Sequence, residues 1–220
     1  MLALLKIRTV YEKRDRAKYI SHLDLNRCMQ RAFRRAKLPI WYSEGFNPRL
    51  YLMFPLALSL GFESMCEIMD FNLREPVPFA ELQDRLNAVL PEGLRIRHAA
   101  EPVKKHTEIG FADYLLELEA GEGFSATWDG FLARESILIQ RTNKRKQLVQ
   151  TEIRPQIQCL SCQQDGTQVQ LGLRLPAGAQ TNLNPTAVLD AMQELEPGTD
   201  FSVNRVLREK IICHDGTDFF

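Results

Sequence analysis

Apolar and polar positions in the first hundred residues follow the periods of strands and helices. Loose alternation over residues 2–11 predicts a strand, and a period near 3.6 over residues 21–37 predicts a helix. Further along, the pattern predicts strands at 51–58, 66–73 and 94–100 and a helix at 78–89 that ends before Pro91 and Gly93. The order β-α-β-β-α-β is that of the split βαβ, or ferredoxin-like, domain.

A charged connector, EPVKKHTE at residues 101–108, precedes a second series of elements with a similar order. The predicted strands are 112–118, 137–141, 149–153, 156–162, 168–175 and 202–213, and the predicted helices are 125–134 and 185–195. Asp165-Gly166 is a typical hairpin turn, and a basic hairpin tip lies at TNKRKQ. We therefore predict an α+β protein with mainly antiparallel sheets in two tandem ferredoxin-like domains, residues 1–103 and 109–220, the second with an extra basic hairpin.

The first predicted helix is strongly amphipathic. Ser21 and Asp24 have the spacing of a capping box at its start. At about 100° per residue, one side gathers Leu25, Cys28, Met29, Ala32 and Ala36, and the opposite side gathers Arg27, Arg31, Arg34 and Arg35. Guanidinium groups suit phosphate, so the four arginines, called the arginine face below, are candidate nucleic-acid contacts. A solvated helix face with no ligand has the same pattern.

Charge is distributed unevenly although the formal net charge is zero. Residues 1–50 hold 12 Lys or Arg and only 4 Asp or Glu, whereas residues 51–103 hold 4 and 8. A basic segment within an otherwise acidic chain is typical of a protein that meets a polyanion on one face.

The segment after the helix supplies further candidates. Trp41 and Tyr42 are placed to stack on an unpaired base, or else to pack in the core beside Leu38 and Ile40. Arg49 and the basic hairpin tip offer additional phosphate contacts. The turn between Tyr42 and Arg49, called the signature loop below, consists of Ser43, Glu44, Gly45, Phe46, Asn47 and Pro48. The basic hairpin tip contains Lys144, Arg145 and Lys146.

The run YISHLDLNRCMQRAFRRAKLPIWYSEGFNPRLYLMFPLALSLGFES resembles the radical-SAM-associated, or radical-SAM-linked, protein family, a domain of unknown function. That family occurs alone or fused to the C-terminus of radical-SAM enzymes, so the resemblance implies a radical-SAM enzyme as partner. The family continues Phe-Asn-Pro with a His-Pro-Lys-like run, whereas this chain has Arg49, Leu50 and Tyr51.

The cysteine pattern places radical chemistry elsewhere, because the C-x3-C-x2-C run of a radical-SAM cluster does not occur in the sequence. Cys159 and Cys162 lie in a predicted strand, where residues three apart point to opposite faces. We expect no metal and no cofactor. His22, at the first turn of the basic helix, is the weak candidate for acid-base cleavage of RNA, or else a structural histidine.

Five scattered cysteines suit reduced thiols, and no apolar run reaches the roughly 18 residues of a membrane span. We therefore expect a cytoplasmic protein without membrane contact.

The basic helix and the resemblance together predict a non-catalytic accessory module that binds RNA or a ribosome-related ribonucleoprotein and acts with a radical-SAM enzyme. Two alternatives remain open. One is a metal-independent endoribonuclease that uses His22, and the other is a protein-binding adaptor without nucleic acid.

Overall fold

The computed structural model describes residues 4–142, 146–178 and 181–220. These residues form two units, of which unit 1 runs to Glu108 and includes Phe219–Phe220, and unit 2 spans Ile109–Asp218. Helices and mostly antiparallel strands alternate in both units. The α+β class predicted from the sequence is therefore confirmed.

Unit 1 contains four strands and two α-helices among its described residues. They are β1 (Leu5–Lys13), α1 (His22–Arg35), β2 (Leu52–Met53), β3 (Glu63–Leu73), α2 (Phe79–Asn87) and β4 (Leu94–Ala100), with a 3-10 helix at Asp15–Tyr19. Within this unit β1 lies between β4 and β3, and β2 pairs with the far side of β3. All of these pairings are antiparallel, which gives the order β4-β1-β3-β2.

The core of unit 1 lies between the two helices and one face of this sheet. Leu82 and Leu86 of α2 and Phe71 of β3 are buried in the same cluster as the apolar side of α1. The rings of Phe33 and Phe71 meet edge to face with their centroids 4.7 Å apart. Burial of these side chains fixes which face of α1 points to solvent.

The strand predicted over residues 51–58 is wrong beyond its first part. Only Leu52–Met53 is a strand, and it pairs with Phe71 and Asp70. Pro55 follows two residues later and has no backbone N–H, so the ladder cannot continue through it.

Unit 2 contains six strands and two α-helices among its described residues. They are β5 (Ile109–Ala120), α3 (Phe124–Leu132), β6 (Leu138–Thr142), β7 (Leu148–Glu152), β8 (Gln158–Asp165), β9 (Gln168–Pro176), α4 (Pro185–Leu195) and β10 (Phe201–Cys213). Its larger sheet has the order β10-β5-β9-β8, and β6 pairs with β7 in a separate hairpin. Gly166 takes a φ of +58° in the two-residue connection between β8 and β9, at the predicted turn.

Cys159 and Cys162 do not point to opposite faces of β8, which corrects the sequence prediction. The register of β8 against β9 shifts between Cys159 and Ser161, and such a bulge reverses the alternation of side chains beyond it. Both thiols therefore contact α3. Trp128 Nε1 donates to Cys159 Sγ at 3.4 Å, and Cys162 Sγ donates to Ser125 Oγ at 3.7 Å.

No helix in the described part of the chain combines the length and the apolar character that a membrane crossing needs. Within the same residues, no group of three or more His, Cys, Asp or Glu side chains is placed to hold a metal ion.

Candidate nucleic-acid interface

Helix α1 begins as its sequence predicts. The Ser21 side chain accepts a hydrogen bond from the Asp24 backbone N–H at 3.1 Å and caps the helix. The Ser21 hydroxyl also donates to the Asp24 carboxylate at 2.7 Å. This bond, followed by the bond from Arg27, lowers the pKa of Asp24 below its ordinary value. Asp24 therefore stays ionised at the positive end of the helix dipole.

The apolar side of α1 is fully inserted in the core of unit 1. Leu25, Met29, Ala32 and Phe33 are buried, and Ala36 is buried just beyond the last helical residue. Phe33 is a core residue that the sequence prediction omitted. Because these anchors fix the rotation of α1 about its axis, the arginines on the other side cannot turn inward.

All four members of the arginine face are exposed, and they line one open depression of about 550 Å³. Arg27 pairs with Asp24 at 3.1 Å, and Arg35 Nη2 donates to the carbonyl of Val89 at 2.7 Å. The side chains of Arg31 and Arg34 make no hydrogen bond or ion pair within the described residues. Their guanidinium donors face water, ready for an anionic ligand.

Cys28 lies at the edge of the predicted apolar side and packs against the core cluster of unit 1. It is half-buried and lines the same depression as Arg31 and Arg35. Burial raises the pKa of the Cys28 thiol, and the two neighbouring arginines offset part of that increase. The thiol therefore stays protonated and adds no charge to the depression.

The signature loop is closed by backbone contacts at its neck. Tyr42 and Leu50 form an isolated antiparallel bridge. One step further in, the Ser43 N–H donates to the Arg49 carbonyl at 2.8 Å, and the Arg49 N–H donates to Ser43 Oγ at 2.9 Å. Gly45 adopts a φ of +124° near the tip, a backbone conformation that residues other than glycine rarely take.

The aromatic residues of this segment differ in their exposure. Trp41 and Tyr42 are half-buried, Tyr42 packs against the core of unit 1, and the Trp41 ring meets Tyr51 with centroids 6.1 Å apart. Phe46 has a relative exposure of 105%, the full value for the residue. Sequence reasoning selected Trp41 and Tyr42 for stacking and missed Phe46. A signal was present, because Phe46 lies between Gly45 and Asn47-Pro48, where turn residues hold a side chain at the tip.

The remaining candidates lie as follows. Arg49 is exposed beside the neck of the signature loop. His22 is exposed at the first turn of α1, and its ring meets the ring of Phe54 at 5.4 Å between centroids. Lys146 is exposed with a φ of +60°. Lys144 and Arg145 lie outside the described residues.

The fold and this site together define an α+β protein that carries an exposed arginine face on its first helix. The chain belongs to the family described as "Uncharacterized protein conserved in bacteria (DUF2344)", whose model matches residues 6–185. No curated protein matches the chain.

Two solved structures show low similarity to the chain. An unknown protein from Galdieria sulphuraria is 13% identical, with 91% of this chain and 98% of that chain covered and a TM-score of 0.29. A putative glycine cleavage system transcriptional repressor is 14% identical, with 91% and 96% covered and a TM-score of 0.27. Similarity at this level supports no functional argument.

Proposed function

We propose that this protein is a non-catalytic module that binds RNA or a ribosome-related ribonucleoprotein on behalf of a radical-SAM enzyme. The observation that carries the proposal is the arginine face, which presents four exposed guanidinium groups around one depression. The resemblance of residues 19–64 to the radical-SAM-associated family supports the choice of partner.

The spacing of the arginines supports a ligand rather than a merely solvated surface. Arg27 and Arg31, and likewise Arg31 and Arg35, are four residues apart on α1. Like charges at that spacing destabilise a helix by about 0.2–0.5 kcal/mol per pair. Opposite charges at that spacing would instead stabilise the helix. A bound polyanion removes the repulsion, and phosphate accepts the paired donors of arginine.

We further propose that both units are ferredoxin-like domains. In unit 1 the sheet order is β4-β1-β3-β2 with α1 and α2 as the crossovers. In unit 2 the order β10-β5-β9-β8 repeats that arrangement, with α3 and α4 as the crossovers and the β6–β7 hairpin inserted after α3. Each order places the first and third strands of a split βαβ unit side by side at the centre.

The test of RNA binding is a fluorescence anisotropy titration of a labelled structured RNA across a salt series. Affinity of the wild type should fall as salt rises, with a logarithmic slope of about 0.7–0.9 per neutralised phosphate. Arg27→Glu combined with Arg31→Glu should weaken binding and flatten the slope. Arg16→Glu combined with Arg95→Glu is the charge-matched control, because both of these arginines are exposed outside the depression.

The same preparation separates the alternatives. RNA cleavage by the purified protein that disappears in His22→Ala would establish the endoribonuclease. The observation that supports the endoribonuclease alternative is that His22 is exposed on the helix that carries the arginine face. If wild type and the Arg27/Arg31 variant bind RNA equally weakly at low salt, the arginine face is a solvated surface and the adaptor replaces the RNA-binding module. Co-purification with a radical-SAM enzyme tests the partner.

A further inference from the structure

Phe46 is the most exposed large apolar side chain in the described part of the chain. An exposed ring lacks the free energy that burial of its apolar surface would give, so a ligand surface that covers Phe46 would gain it. The question for this residue is therefore which surface covers the ring.

Backbone contacts hold the signature loop at its neck, and Phe46 lies at the exposed tip. The neck is closed by the Tyr42–Leu50 bridge and the two Ser43–Arg49 hydrogen bonds. Leu50 is buried in the same core cluster as Met29 of α1. The signature loop and the arginine face thus belong to the same packed unit.

The neighbours of the ring favour a nucleobase over a protein pocket. Glu44, Asn47 and Arg49 flank Phe46 and are all exposed, so the ring stands among charged and amide groups. Protein hot spots instead cluster with other apolar side chains that exclude water. A single aromatic platform surrounded by hydrogen-bonding groups is typical of base recognition in single-stranded RNA, where the ring stacks and the polar groups contact base edges.

We propose that Phe46 stacks on an unpaired base of the RNA whose phosphates contact the arginine face, which makes the ligand an RNA with a loop, bulge or single-stranded end. This inference rests on the proposed RNA-binding function and adds the substrate class to it. The arginines supply affinity for any phosphate backbone, and Phe46 supplies the preference for unpaired bases.

The experiment measures the affinity of the 220-residue chain for two probes. One is an RNA hairpin with 2-aminopurine in its loop, and the other is a blunt duplex with the sequence of the stem. Phe46→Ala should weaken binding to the hairpin by about fivefold or more and abolish the change in 2-aminopurine fluorescence, because one base–aromatic stack is lost. It should leave duplex affinity and the salt slope unchanged. Phe46→Tyr keeps the ring and should bind as the wild type does.

The controls separate this inference from the proposed function. Leu60→Ala removes another exposed apolar side chain, 64% exposed in unit 1, and should not change hairpin affinity. If the Arg27/Arg31 double variant loses binding while Phe46→Ala binds the hairpin as tightly as the wild type, the inference fails and the proposed function stands. Equal losses on hairpin and duplex in Phe46→Ala also overturn it. A wild type that binds neither RNA rejects both.

Discussion

Arg85 of α2 closes the carboxyl end of α1 by donating to the carbonyl of Ala36, with Nε at 3.0 Å and Nη2 at 2.7 Å. Its Nη2 also lies 2.6 Å from the carbonyl of Lys37. Lys37 has a φ of +51°, and the N–H groups of Lys37 and Leu38 turn back to the carbonyls of Arg34 and Phe33. This is a Schellman end in which lysine occupies the usual glycine position, and Arg85 bonds the next two carbonyls, those of Ala36 and Lys37.

Loss of the Arg85 guanidinium should therefore destabilise the end of α1 that carries Arg34 and Arg35. We expect Arg85→Met to lower the free energy of unfolding by about 1.5–3 kcal/mol, the usual range for hydrogen bonds to charged groups. Urea unfolding followed by circular dichroism measures the change, and hydrogen exchange of residues 33–38 should accelerate. Arg95→Met, at an exposed position on β4, should stay within about 0.5 kcal/mol of the wild type. An equal effect of the two variants would contradict this role of Arg85.

Local patterns in the sequence predicted most elements of the fold. Residues 94–100 and 185–195 are found as β4 and α4 with the predicted bounds, and α1 begins at the Ser21 cap. These patterns depend only on residues that are close in sequence, so they predict helices and strands without knowledge of tertiary contacts. The exposure of the arginine face follows from the same period, because Met29 and Phe33 on the other side are apolar.

Features that depend on distant residues were not predictable from the sequence. The contact between Arg85 and Ala36 joins residues 49 positions apart in the sequence, so no local pattern predicts it. The bulge that brings Cys159 and Cys162 to one face of β8 is a matter of register with β9, which the alternation along one strand does not contain.

Glu152 should make the stability of unit 2 depend on acid pH. Its carboxylate accepts a hydrogen bond from the Ser136 hydroxyl and from the N–H groups of Ile137 and Arg154, at 2.9 and 2.8 Å. The Ser136 bond first, and then the backbone bonds, lower the pKa of Glu152 below its ordinary value of 4.5. A carboxyl whose pKa is lowered by folding stabilises the protein above its unfolded pKa, and this stabilisation is lost as the pH falls through the folded pKa.

We therefore expect Glu152→Gln to reduce stability at pH 7 and to approach the wild type as the pH falls below about 4. Urea titrations at several pH values, followed by the fluorescence of Trp128 in a Trp41→Phe background, report on unit 2, since the chain has two tryptophans. Ser136→Ala removes one of the three donors and should show a smaller effect with the same pH trend. A difference between Glu152→Gln and wild type that is constant from pH 7 to pH 3 would exclude the linkage.

Gly93 should be far less tolerant of a side chain than Gly61, although both have positive φ, +82° and +85°. A Cβ at Gly93 would lie 2.5 Å from the Arg14 carbonyl oxygen and 2.9 Å from the Ala17 Cβ, whereas a Cβ at Gly61 meets nothing within 4 Å. The Arg14 N–H also donates to the Gly93 carbonyl at 2.8 Å, so the two backbones cannot separate without breaking that bond.

Gly61→Ala should lower the free energy of unfolding by about 1–2 kcal/mol, the cost of the left-handed conformation alone. Gly93→Ala should cost about 1–3 kcal/mol more, because the chain must also shift to relieve the contact. Urea unfolding of the two variants, followed by circular dichroism, gives the comparison directly. Equal losses in both would mean that the backbone around Arg14 yields freely and that the close approach at Gly93 does not constrain the start of β4.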